Sequence, residues 1–185
     1  SVADQGVQAE NPLVEVFFNL LDLGGGRFDA AQVLGLLAAP AIRRRFGLAE
    51  ADLDRIRRWV REAGIRWGID GGIKTTWELP ATAEHTWRAG LDRLLLGYAL
   101  PGGDRELYGD ILPYDDVEGS EAQALGQLHS FTEALFGLDT QLRERRPVAA
   151  WVSTLKAVLE QFFAAREREE AQLQLMRDAL TALNE

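Results

Sequence analysis

The side chains that could carry out chemistry in this sequence do not form a recognisable catalytic pattern. There is no cysteine, and the two histidines, His85 and His129, lie outside any H-E-x-x-H pattern. The single glycine run, at residues 24–26, is followed by Arg-Phe and not by the Lys-Ser/Thr pair of a phosphate-binding loop. That run is better explained as a turn that ends a helix. We therefore expect no catalytic centre, no cofactor and no metal site in this chain.

Arginine clusters in one part of the sequence. Eight arginines lie between residues 43 and 66, against four acidic residues. Exposed arginines on a helix can bind phosphate oxygens bidentately, and so contact a DNA backbone without reading its bases. Alternatively, they pair with Asp52, Asp54 and Glu62 at helical spacing, which the local charge balance favours. The candidates for DNA contact are Arg43, Arg44, Arg57, Arg58 and Arg61.

A second group of polar and aromatic residues surrounds a break between helices. Residues 64–70 read Gly-Ile-Arg-Trp-Gly-Ile-Asp, and residues 85–88 read His-Thr-Trp-Arg. We interpret Arg66, Trp67, His85 and Trp87 as a structural junction, with His85 making a structural hydrogen bond. Together with Trp77, these tryptophans could stack on exposed bases, but tryptophan at a junction is more often part of the core.

Composition limits the class of protein. A chain of 185 residues with 46% hydrophobic and 26% charged residues is typical of one globular domain. The net charge of −9 argues against a protein whose whole surface binds nucleic acid. No apolar run is long enough for a membrane span, and we expect neither an export signal nor a membrane partner. The absence of cysteine fits a reducing cytoplasm, which is the predicted location.

Helical periodicity dominates the first hundred residues. After a polar tail at 1–10, residues 11–100 predict a cluster of helices, with the first capped by Asn11 and opened by Pro12. A clean amphipathic helix is expected over 50–63, and another over 82–98. Between them, glycines and the β-favouring residues 73–77 predict a short extended segment or hairpin near 65–80.

The second half of the chain predicts longer helices. An acidic loop at 101–119 precedes them, and helices are expected from Ser120, from Pro147 and over about 169–183 of the 120–185 segment. The predicted fold class is therefore mainly α, a multi-helix domain with one short non-helical or hairpin segment. The loop is the best candidate boundary within what we expect to be a single domain.

The order of these segments resembles one family, the exodeoxyribonuclease V gamma chain (RecC). The resemblance is densest at 64–70, at 79–82 (Leu-Pro-Ala-Thr) and at 85–98, and it runs to about residue 147. Since members of that family are several times longer, the resemblance implies that this chain is a piece of a larger subunit. It also implies a fold like the 2B subdomain of superfamily 1 helicases.

The resemblance further implies a role without chemistry of its own. The RecC family belongs to the RecBCD helicase–nuclease, an ATP-dependent exodeoxyribonuclease used in double-strand break repair and recombination. The chain would then be a non-catalytic, helicase-like scaffold whose partners are the other subunits, with sequence-independent DNA contact as an added role. The alternative is a pure protein–protein interaction module that does not touch DNA.

Overall fold

The computed structural model describes residues 12–100, 107–108, 111–114 and 121–183. These residues form nine helices and no strand, which confirms the predicted mainly α class. No helix in these ranges is long and apolar enough to cross a bilayer. The helices are α1 (Pro12–Asp22), α2 (Ala30–Ala38), α3 (Pro40–Arg45), α4 (Asp52–Glu62), α5 (Gly71–Thr75), α6 (Trp87–Ala99), α7 (Ala122–Arg143), α8 (Val148–Phe162) and α9 (Glu167–Ala182).

The first helix begins and ends as its sequence predicts. Pro12 occupies the first helical position, where its missing N–H costs no hydrogen bond, while Asn11 lies outside the described residues. At the other end, the amide of Gly24 donates to Leu21 O (2.9 Å) and that of Gly26 to Leu23 O (2.9 Å). Gly25 has φ +75°, a conformation that side chains rarely adopt, so the glycine run is a helix-ending turn.

One apolar core joins the helices before the acidic loop to those after it. Ile56 and Trp59 of α4 have no solvent-exposed surface, and neither do Phe131 of α7 and Phe162 of α8. Helix α7 packs on α4 and α6, while α8 packs on α3 and α9. The predicted division into 1–10, 11–100, 101–119 and 120–185 remains a prediction, and residues 1–10, Ser120 and most of the loop lie outside the description.

The segment at 65–80 needs correction, because no hairpin forms there. Residues 71–75 make the short helix α5, in which the side chain of Asp70 accepts a hydrogen bond from the Ile73 amide at 3.1 Å. This N-cap outweighs the β preference of the residues that follow it.

Two helix starts also differ from the sequence-based boundaries. Helix α6 begins at Trp87 and not near 82, because Thr86 is its N-cap and accepts from the Ala89 amide at 3.4 Å. Helix α9 begins at Glu167, two residues earlier than expected.

Candidate functional site

Three backbone segments meet where helices α2, α4 and α6 approach one another. Gly68 N donates to Arg27 O at 2.7 Å, and Trp87 N donates to Gly68 O at 2.9 Å. Ala30 N donates to Arg66 O at 2.8 Å, and Arg66 N donates to the carbonyl of residue 85 at 2.9 Å. We call residues 27–30, 64–70 and 85–88 the junction. Its backbone groups are paired across segments, as in a sheet, although no strand is present among them.

Two residues of the junction have left-handed backbone conformations that hydrogen bonds keep in place. Phe28 (φ 55°) and His85 (φ 62°) are left-handed, which is rare for residues with a side chain and costs free energy. The indole Nε1 of Trp87, fully buried, donates to the carbonyl of Phe28 at 2.9 Å. His85 Nδ1 donates to the carbonyl of Gly64 at 2.9 Å. Each strained residue is therefore tied to another segment by a side-chain hydrogen bond.

A buried lysine supports the turn that follows α5. Lys74 is only 6% exposed, and its ammonium donates to Thr82 Oγ1 at 3.3 Å and to the carbonyl of Glu84. The same ammonium lies 5.4 Å from the ring centroid of Trp67. Because a buried charge needs several partners to be tolerated, this side chain fixes residues 76–84 against the junction.

Several arginine and tryptophan side chains of the junction, together with Trp77 in the turn after α5, are at least partly open to solvent. The guanidinium of Arg27 is 4.6 Å from the ring centroid of Trp77 and 5.8 Å from that of Trp67. Trp77 is 39% exposed, and the side chains of Arg27 and Arg66 are exposed as well. Neither arginine forms an ion pair with any residue of the described ranges. We call Arg27, Trp67 and Trp77, together with Arg66, which precedes Trp67 in the chain, the tryptophan–arginine surface.

The two arginine candidates on α3 are committed inside the protein. Arg43 donates to Ala38 O at 2.8 Å and pairs with Glu50 at 3.4 Å. Arg44 pairs with Glu169 and donates to Ala164 O at 3.0 Å, so it links α3 to α9. Each of these two guanidiniums makes two hydrogen bonds within the chain.

The three candidates on α4 are more open to solvent. Arg57 pairs with Asp54 at 2.9 Å, and Arg61 lies 4.0 Å from Glu62. Arg58 lies 3.8 Å from Glu121, a carboxylate that also pairs with Arg55 at 2.6 Å. The exposed fraction is 51% for Arg57, 42% for Arg58 and 74% for Arg61. Their charges are partly compensated, yet all three can reach a ligand.

Two cavities flank the junction, one containing ion pairs and the other mainly apolar. A cavity of about 470 Å³ contains Arg88 and Arg143, which pair with Glu133 (3.1 Å) and Asp139 (2.8 Å). A groove of about 550 Å³ with a mainly apolar lining runs beside His85. No group of three metal-ligating side chains occurs within the described ranges.

Sequence reasoning identified part of this site. Arg66, Trp67, His85 and Trp87 do lie together, within one hydrogen-bonded junction. Arg27 and Lys74 were missed. Cationic residues lie close to Trp67 and Trp77 in the sequence, but no local pattern indicates that Lys74 is buried.

Comparison with known proteins places these residues in a family. Residues 10–185 match the family described as the RecBCD enzyme subunit RecC fourth domain. The similarity therefore continues past residue 147, where the resemblance in the sequence had weakened. RecBCD enzyme subunit RecC of Escherichia coli (strain K12) is 37% identical over 183 residues, which cover 99% of this chain and 16% of that protein.

Two further relatives carry the same description. RecC of Mycobacterium tuberculosis (strain ATCC 25618 / H37Rv) is 36% identical over 94% of this chain and 16% of its own length. RecC of Haemophilus influenzae (strain ATCC 51907 / DSM 11121 / KW20 / Rd) is 33% identical over 90% of this chain and 14% of its own length. The chain thus spans about one sixth of the length of the relatives that it matches.

Proposed function

Because the chain belongs to the RecC fourth-domain family, we propose that it is a non-catalytic, helicase-like domain of a RecC-type subunit. Its partners are the other subunits of a RecBCD-type complex, an ATP-dependent exodeoxyribonuclease that acts in the cytoplasm in double-strand break repair and recombination. Within that subunit it corresponds to the 2B region of a helicase fold.

The junction is the observation that carries this proposal. Two of its side chains donate hydrogen bonds to backbone carbonyls of other segments. Trp87 donates to the carbonyl of Phe28, and His85 donates to that of Gly64. Residues that serve a reaction are usually free to reach a substrate, whereas Trp87 is fully buried and the Nδ1 of the exposed His85 is occupied by a hydrogen bond. A rigid, internally satisfied junction suits a domain that sets the spacing of its neighbours.

Contact with DNA is a finer part of the proposal. Arg57, Arg58 and Arg61 on α4 are the candidates for sequence-independent contact, with Arg43 and Arg44 disfavoured by their internal partners. The internal ion pairs favour the alternative, a module that contacts protein alone. A salt titration of DNA binding by the 185-residue chain separates DNA contact from contact with protein alone. The titration compares a variant with reversed charges at Arg57 and Arg61 with a control variant that has reversed charges at Arg145 and Lys156.

The scaffold role is tested by separating assembly from activity. The Trp87→Leu substitution, made in the RecC-type subunit, removes the hydrogen bond to Phe28 and should lower the yield of assembled complex. ATP hydrolysis and nuclease activity per assembled complex should stay unchanged. The half-buried Trp151 on α8 provides the control, as Trp151→Leu. An assembled Trp87→Leu complex with reduced turnover at saturating DNA would contradict the scaffold role.

A further inference from the structure

The charge balance of the tryptophan–arginine surface differs from that of the other arginine clusters. On α3 and α4 the DNA-contact candidates face a carboxylate within 4.0 Å, as Arg57 faces Asp54. Arg27 and Arg66 have no such partner among the residues described, in a chain whose net charge is −9. An exposed guanidinium without a carboxylate can bind an anion and does not first have to break an ion pair.

The aromatic part of the surface is exposed and held in position. Arg27 covers one part of the Trp77 indole at 4.6 Å, yet 39% of that side chain remains open to solvent. Leu79, two residues on, is 43% exposed, and Glu78 between them is left-handed (φ 57°). The amides of Glu78 and Leu79 donate to Thr75 O (3.1 Å) and Lys74 O (3.1 Å). The turn that carries Trp77 is therefore formed in the absence of a ligand.

We propose that the tryptophan–arginine surface is a binding site for single-stranded nucleic acid, in which a base stacks on Trp77 and the guanidiniums of Arg27 and Arg66 contact flanking phosphates. Aromatic faces accept any unpaired base, and cations beside them follow the backbone, so such a site reads no sequence. Duplex DNA hides its bases from a flat indole, which selects for the single strand.

This inference rests on the proposed function, because a subunit of a helicase–nuclease is where the surface would meet unpaired strands. It differs from the α4 proposal in one measurable respect. Contact through Arg57 and Arg61 depends on charge alone, whereas contact at Trp77 also requires an aromatic ring. The two proposals therefore predict different variants that lose binding.

The test measures binding of a labelled oligothymidylate of about 16 nucleotides, within the range of single-strand site sizes, to the full 185-residue chain by fluorescence anisotropy. Trp77→Ala should weaken binding about fivefold or more, while Trp77→Phe, which keeps a ring, should stay within about twofold of the unsubstituted chain. Arg27→Gln combined with Arg66→Gln should reduce the slope of log affinity against log salt by about 1.4, near 0.7 for each contact.

Matched controls use features that the chain already contains. Trp151 has Arg146 at 5.7 Å from its ring, but Arg146 also pairs with Glu144 at 2.6 Å, so Trp151→Ala should leave binding unchanged. Arg145→Gln with Lys156→Gln removes the same charge from outside both candidate surfaces and should leave the salt slope unchanged. Far-UV circular dichroism and thermal melting establish that each variant is folded.

Three results would overturn the inference. The first is a chain that does not bind the oligonucleotide at low salt, and the second is a Trp77→Ala variant that binds like the unsubstituted chain. The third is a Trp77→Ala variant that loses subunit assembly but keeps its DNA affinity, because the surface would then dock protein. The yield of assembled complex is measured before DNA is added, so failure of the scaffold role is distinguished from failure of this site.

Discussion

Substitution of Trp87 by phenylalanine provides the most direct test of the junction. Trp87 is fully buried, and its Nε1 donates to the carbonyl of Phe28 at 2.9 Å. Phenylalanine keeps the packing of a ring but has no donor, so a buried carbonyl on a left-handed residue loses that partner. Such an orphaned group costs about 1–3 kcal/mol. The smaller ring also leaves a void, at about 24 cal/mol per Å³ of cavity.

Together these effects should lower the free energy of unfolding by about 2–3 kcal/mol. For a chain of this length, that corresponds to a fall of about 4–12 °C in the melting temperature. Urea denaturation and thermal melting of the 185-residue chain, both followed by far-UV circular dichroism, measure the change. Trp151→Phe is the control, because Trp151 is half-buried and its indole donates no hydrogen bond within the described ranges. If both substitutions cost the same, the hydrogen bond to Phe28 does not stabilise the junction.

Other substitutions test the supports around the junction. Lys74→Met removes the ammonium that donates to Thr82 and Glu84. It should therefore speed amide hydrogen exchange over residues 76–84 and leave exchange in α7 unchanged. An equal change in exchange rate in both regions would contradict that anchoring role. Gly97→Ala would place a Cβ 1.7 Å from Tyr114 O and should cost about 1–3 kcal/mol by urea denaturation. Gly126→Ala, where a Cβ meets nothing within 4 Å, should instead stabilise α7 by about 0.4–1 kcal/mol, and equal effects of the two would refute the close approach. The hydrogen bond to Glu170 raises the pKa of the Arg177 guanidinium. The stability that the charged guanidinium contributes is therefore present at every pH below the pKa of Arg177 in the unfolded chain, and is lost only in strong alkali. Arg177→Met should therefore cost at most about 1 kcal/mol in thermal melts, by the same amount at pH 6 and pH 9.

Local signals predicted most helices and missed what depends on distant segments. Pro12 and the amphipathic pattern of α4 are encoded within a few residues, and both predictions were confirmed. The Arg57–Asp54 pair has i,i+3 spacing, so it was predictable as well. By contrast, Arg44 pairs with Glu169, which is 125 positions away, and no sequence pattern indicates that contact.

The non-helical region shows why the remaining errors arose. Residues 73–77 favour extended structure by type, but one carboxylate, that of Asp70, caps a helical turn there. The junction likewise forms from three segments whose hydrogen-bond partners are known only once the chain has folded. The same holds for the tryptophan–arginine surface, where Arg27 and Trp77 are fifty residues apart in sequence and adjacent in space.

The separation of Phe28 and Trp87 also has a consequence for how the protein is made. The donor and the acceptor of their hydrogen bond are 59 positions apart in the sequence. On the ribosome, where about 5–20 residues are added each second, α4 is complete about 1–5 s before Trp87 is added. During that interval, the carbonyl of Phe28 has not yet gained its indole partner. The junction is therefore completed only once the residues that open α6 have been synthesised.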